Sequence, residues 1–310
     1  MTTNNATKFF LDSCDPLQTI EAIECLNKIG ATLDGQTTNP SLLVKNPLLQ
    51  MQLHGGKIKE RELLNFYKQE IQAVSKLIPE GSVSIEVYAD ENSVKEDLLK
   101  QANDFYTWIP NAHVKFPTNK AGIEAAEVFV NQGGRVNMTL VFSQEQALAV
   151  HLATKNMKNP GDVLLSPFVG RFDDIGLNGT DFIFNVIKMY KEIDSQVSIL
   201  SASLRNLNHL EKCIELGSTL TTGPLNIYQE YVEKKLQLSN KTGTNNSQPE
   251  VAYSQTDVVF NTNNTKVELH PIPYRQLNIS ETNWQNLNIQ HDLTDKGLAK
   301  FVTDWKSVLI

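Results

Sequence analysis

Residues 111–122 read NAHVKFPTNKAG, and their pattern decides how the chain is built. From 112 to 117 apolar and polar residues alternate, the period of a β-strand, and from 119 to 131 the apolar spacing becomes helical. In a strand, Lys115 points away from Val114 and Phe116. If those two pack outward against helices, Lys115 and His113 both face whatever the strand encloses.

The same strand-then-helix unit recurs on both sides. Strand-type runs cover 8–12 (KFFLD), 31–39, 82–89, 112–117, 135–142, 162–169, 197–203 and 218–224. Helical spacing covers 16–29, 61–78, 119–131, 143–153, 181–192 and 206–215; in 61–78 it is carried by Leu63, Phe66, Tyr67, Ile71, Val74, Leu77 and Ile78. Eight strands with intervening helices predict an α/β fold, a single (β/α)8 barrel. A doubly wound sheet is the alternative, but no strand-linked Gly-x-Gly-x-x-Gly is present. The barrel core is expected over 1–235. Residues 238–265 are rich in Asn, Thr, Ser and Gln and read as a polar surface excursion. The insertion 236–290 regains apolar residues in its second half, which is expected to pack on the barrel with Trp284 as an anchor. A C-terminal helix over 291–310 follows, with Leu298, Phe301, Val302, Trp305 and Leu309 on one face.

The composition is that of a globular protein, 40% hydrophobic and 20% charged over 310 residues. A formal charge of -7 argues against non-specific nucleic-acid binding. Cys14, Cys25 and Cys213 form neither a disulfide framework nor a zinc pattern, so a reducing cytoplasm and no metal are expected. The opening MTTNNATKFFLDS lacks the basic-then-apolar order of a signal peptide, and no apolar run is long enough to span a bilayer. No membrane partner is expected.

In a barrel of this kind chemistry gathers at the carboxyl ends of the strands. The candidates there are Asp12, Thr38 and Asn39, Glu86, Lys115, Asn137 and Thr139, Ser166, and Ser203 with Arg205. Taken singly, each has a plainer reading: a strand-end Asn or Asp commonly caps the next helix, and Asn39 before Pro40 fits that best. Their convergence on one rim favours a site. Burying an unpaired ammonium is costly, so Lys115 either pairs with Asp12 or Glu86 or serves as a neutral amine that attacks a carbonyl.

At these residues the chain resembles the transaldolase family, a branch of the class I Schiff-base aldolases related to the fructose 6-phosphate aldolases. DGQTTNPSLL (34–43) is similar to the family signature, and HVKFPTNKAGIEAA (113–126) to the segment holding the Schiff-base lysine. NMTLVFSQEQA (137–147), SPFVGRFDDIG (166–176) and LSASLRN (200–206) follow in family order. The resemblance implies a metal-free, cofactor-free barrel that moves a dihydroxyacetone unit between sugar phosphates, in the pentose phosphate pathway. The donor would be sedoheptulose 7-phosphate or fructose 6-phosphate, and the acceptor glyceraldehyde 3-phosphate or erythrose 4-phosphate.

It assigns the Schiff base to Lys115, general acid–base work to Asp12, and the water-handling pair to Glu86 and Thr139. Thr38, Asn39, Asn137, Ser166 and Phe168 would line the substrate, and Arg171, Ser203 and Arg205 the phosphate. Phe168 and Glu86 match the transaldolase branch, where the aldolases usually carry tyrosine and tend to carry glutamine. The alternatives are an aldolase that releases dihydroxyacetone and a silent sugar-phosphate-binding barrel. The family pattern also admits a homo-oligomer, with the C-terminal helix lying on its own barrel or a neighbour's. His113 departs from the usual aliphatic residue and reads as a neutral core histidine bonded to a neighbouring strand.

Overall fold

A computed structural model describes residues 7–241, 258–260 and 266–310. Eight parallel strands close in sequence order: β1 (Lys8–Asp12), β2 (Leu33–Thr37), β3 (Ser82–Glu86), β4 (Ala112–Pro117), β5 (Val136–Val141), β6 (Val163–Pro167), β7 (Ser198–Ser201) and β8 (Leu220–Gly223). β8 pairs with β1, which completes an α/β barrel of the (β/α)8 type. Each predicted strand run holds one of these strands.

Short polar signals start the helices that follow. Asn39, Asn119, Ser143, Asn178 and Asn206 each accept a backbone N–H from the first turn of the next helix. The cap reading of Asn39 is therefore correct: its Oδ1 accepts from the Leu42 N–H at 2.9 Å. The helix Lys120–Asn131 lies so close to β4 that a Cβ at Gly122 would sit 1.8 Å from the Pro117 carbonyl oxygen. Only glycine allows that approach, two residues beyond Lys115.

Alternation decides what fills the barrel. Val83, Val114, Phe116 and Met138 are buried in the shell between strands and helices, while Phe10, Leu164, Leu200 and Leu220 form a separate small apolar cluster. His113 is 5% exposed and bridges two neighbours, with Nδ1 2.8 Å from the Ser82 hydroxyl and Nε2 2.9 Å from the Gly161 carbonyl. A carbonyl only accepts, so Nε2 carries the hydrogen and the Ser82 hydroxyl donates to Nδ1. Burial lowers the His113 pKa to about 4, so it is the neutral core histidine expected.

Past β8 the helix Leu225–Lys241 runs on through residue 235, the expected end of the barrel core. The predicted excursion 238–265 lies largely outside the described residues. Trp284 is 4% exposed and its indole N–H donates to Glu127 at 3.0 Å. Gln144 exchanges two hydrogen bonds with the Arg275 backbone, at 2.8 and 3.0 Å. The C-terminal helix Asp292–Ser307 packs against the short helix Pro40–Val44 and against β5, with Trp305 buried. Its Thr294 hydroxyl donates to the Leu140 carbonyl at 2.9 Å. Leu140 stands at φ 59, beside an irregularity in the β5–β6 register, and follows Thr139 directly. The helix thus holds the kinked end of β5 from above. Among the described residues no helix is long and apolar enough to cross a membrane.

Candidate active site

The carboxyl ends of the strands surround a cavity of about 260 Å³. Parallel register sets Glu86 beside Lys115 and Lys115 beside Asn137, while on the other side Asp12 stands beside Thr37. Lys115 is 3% exposed; its Nζ lies 2.9 Å from Glu86 Oε2 and donates to the Thr38 carbonyl at 3.0 Å. The buried ammonium has therefore found an anion, as the cost of burying it unpaired requires.

Two carboxyls flank this lysine in different settings. Burial pushes the Glu86 pKa up to about 7, against the pull of the Lys115 charge. Burial also raises Asp12, opposed by Lys115 and by the Thr37 hydroxyl, which donates to Asp12 Oδ1 at 2.7 Å. The Thr37 hydrogen is spent on that bond, so the Thr222 hydroxyl, 2.6 Å away, donates to Thr37. Thr139 Oγ1 is buried with no hydrogen-bond partner among the described residues and belongs to a side chain lining the cavity. A buried hydroxyl without a partner marks a place for a water or a substrate oxygen.

Ser166 also lines the cavity and donates to Asn137 Oδ1 at 2.7 Å, while Asn137 Nδ2 donates to the Ser84 hydroxyl at 3.0 Å. Phe168 lines the wall and packs edge-on against Phe142 at 5.5 Å. Asn39 is at the rim. The Thr38 side chain is turned away, bonded to the Tyr67 hydroxyl and the Ser84 carbonyl, so Thr38 meets Lys115 through its backbone oxygen.

Arg171 and Ser203 line the mouth. Arg205 stands behind them in a two-pronged pair with Asp174, whose second contact measures 2.6 Å. A Cβ at Gly170 would strike Arg205 Nε at 2.5 Å, so this glycine lets the guanidinium lie along the Arg171 turn. Asp173 is held by His209 Nε2 at 2.8 Å. The cationic end of the cavity is braced by two carboxylates.

Several cavity residues are not among the sequence candidates. Thr37 and Thr222 end β2 and β8 and are reachable by the same strand-end logic. Ser41, Lys45, Lys300 and Asp304 give no such signal, because they come from the Pro40–Val44 turn and from the shoulder of the C-terminal helix. Asp304 bonds Lys300 within its own helix and accepts from the Ser41 hydroxyl, and the Ser41 bond ties that helix to the rim.

The fold and the cavity define a (β/α)8 barrel with a lysine–carboxylate pair at the carboxyl rim and a cationic mouth. Residues 9–310 match the pattern of one family, described as transaldolase/fructose-6-phosphate aldolase. The chain belongs to that family. A protein of Dehalococcoides mccartyi named "Probable transaldolase" is 29% identical over 97% of this chain and 99% of its own length. Proteins of the same name from Parabacteroides distasonis and Cereibacter sphaeroides are 37% and 35% identical, each over 70% of this chain, spanning 87% and 84% of their own lengths.

Proposed function

We propose that this protein is a transaldolase, carrying a dihydroxyacetone unit from a ketose phosphate to an aldose phosphate through an imine on Lys115. The observation that carries the reading is the buried Lys115–Glu86 pair, 2.9 Å apart, whose lysine lines a cavity that Asp12 also lines. Glu86, with a pKa of about 7, is placed to take the Lys115 proton and leave an amine lone pair for attack. The amine attacks the C2 carbonyl of fructose 6-phosphate or sedoheptulose 7-phosphate. Glu86 then returns a proton to the departing hydroxyl, and water leaves from the side of Thr139.

The iminium draws the electrons of the C3–C4 bond when Asp12 removes the C4 hydroxyl proton. An aldose phosphate departs, and the enamine stays bonded to Lys115. Asn39, Asn137 and Ser166 hold its hydroxyls until glyceraldehyde 3-phosphate or erythrose 4-phosphate enters and the steps reverse. Arg171, Ser203 and Arg205 bind the phosphate, with substrate oxygens taking the place of Asp174 on the Arg205 fork. Such an enzyme serves the pentose phosphate pathway, and its three free, buried thiols suit a reducing cytoplasm.

Transfer rather than release is favoured by Phe168, which has no phenol hydroxyl to offer a water, and by Glu86 as a carboxylate. With fructose 6-phosphate alone, little dihydroxyacetone should accumulate, and sedoheptulose 7-phosphate should appear once erythrose 4-phosphate is added. Rapid acceptor-independent release would make the protein an aldolase instead. Lys115→Arg should abolish both reactions, since arginine stays protonated.

A further inference from the structure

The contact between Lys115 and Thr38 depends on a hydrogen bond that the sheet does not make. In a parallel ladder a residue donates its N–H to one neighbour-strand carbonyl and accepts, on its own carbonyl, the N–H of the residue two further along. The Thr38 N–H donates to the Ser84 carbonyl at 3.2 Å, so the next rung would bring the Glu86 N–H to the Thr38 carbonyl. Instead the Glu86 N–H donates to the Tyr67 hydroxyl at 3.0 Å, and the Thr38 carbonyl accepts Lys115 Nζ at 3.0 Å.

Tyr67 comes from the helix Glu60–Leu77, outside the barrel, and is 2% exposed. Counting hydrogens settles the direction of its bonds. The Thr38 hydroxyl donates its only hydrogen to the Ser84 carbonyl at 2.8 Å, so the Tyr67 hydroxyl donates to Thr38 Oγ1 and accepts from Glu86. The tyrosine joins the two residues that hold the Lys115 ammonium, one through its carboxylate and one through its carbonyl.

We propose that Tyr67 is a positioning residue of the active site. Its hydroxyl replaces the missing ladder acceptor of the Glu86 N–H and so leaves the Thr38 carbonyl to hold the Lys115 amine. This role rests on the reading of Lys115 as the nucleophile. The ring itself has a packing function, edge-on to Phe105 and Trp108 at 6.3 and 5.8 Å. Tyr67→Phe keeps that packing and removes only the hydroxyl. The Glu86 N–H then returns to the Thr38 carbonyl, and Lys115 loses one of its two holds.

The test measures the rate of imine capture by cyanoborohydride with fructose 6-phosphate, across pH, in the intact protein and two variants. Wild type should give an adduct on Lys115. Tyr67→Phe should capture about 10-fold to 100-fold more slowly, with KM nearly unchanged. Its acidic limb should also move, because Glu86, which faces Lys115 from β4 and Asp12 from β1, is re-aimed. Trp108→Phe, which disturbs the ring's packing alone, should lower Tm and leave the rate and the limb in place. Capture by Tyr67→Phe at the wild-type rate with an unmoved limb would overturn the proposal. So would a loss that follows Tm equally in both variants. Absence of any Lys115 adduct in wild type would instead remove the functional reading, and this role with it.

Discussion

Glu86 is the residue whose environment is most informative. Its folded-state pKa of about 7 lies above the ordinary glutamate value of 4.5, so the native state binds more protons than the unfolded chain between those values. The stability this group contributes is therefore fully present below about 4.5 and is lost as pH rises through about 7. Catalysis runs the other way, because the proposed base must be ionised to take the Lys115 proton. The rate should rise with pH through about 7. Glu86→Gln should erase that limb and lower kcat by about 10²-fold or more, read from a pH–rate profile. Asp12 acts later in the proposed sequence. Asp12→Asn should still form the lysine adduct while turnover falls by about 10²–10⁴-fold. An Asp12→Asn protein that forms no adduct would place Asp12 before cleavage instead. At this scale Lys115 was legible, because an ammonium between Val114 and Phe116 stands out against the strand period. Thr38 was named, but the group that meets the lysine is its carbonyl, and no side-chain argument finds a backbone oxygen. Tyr67 fell among apolar residues at helical spacing and read as core.

Among the elements, β4 and the helix behind it are the most tightly coupled to the site. Gly122→Ala would force a methyl against the Pro117 carbonyl, and overpacking of this kind costs about 1–3 kcal/mol. Because Pro117 follows Lys115 on the same strand, kcat should fall as well as Tm; calorimetry and steady-state rates together check this. An unchanged kcat would mean that the helix, rather than the strand, yields. The strands were legible since each combines β-branched or aromatic residues with a polar residue in its second half. The helix Lys95–Phe105 was missed because only Leu98, Ala102 and Phe105 face the core from a run that is otherwise mostly polar. The helix Leu225–Lys241 was likewise not among the helical runs read from the sequence.

For the whole molecule, the closed barrel follows from strict alternation, and Trp284 and Trp305 could be named as anchors because an apolar supply so far from the strands has to be buried somewhere. What could not be read is where the last helix lands. Lys300, Phe301 and Asp304 reach the cavity only because that helix crosses from the kink of β5 to the Pro40–Val44 turn. Trp284→Ala should cost about 3–5 kcal/mol of stability, since it empties a buried indole and strands the Glu127 carboxylate. Denaturant titration reads that cost directly. Lys115 carries the proposed chemistry, and the decisive experiment is borohydride reduction in the presence of fructose 6-phosphate, followed by peptide mass mapping. A dihydroxyacetone-derived adduct confined to Lys115 is the predicted result. An adduct on another lysine, with Lys115 unmodified, would contradict it.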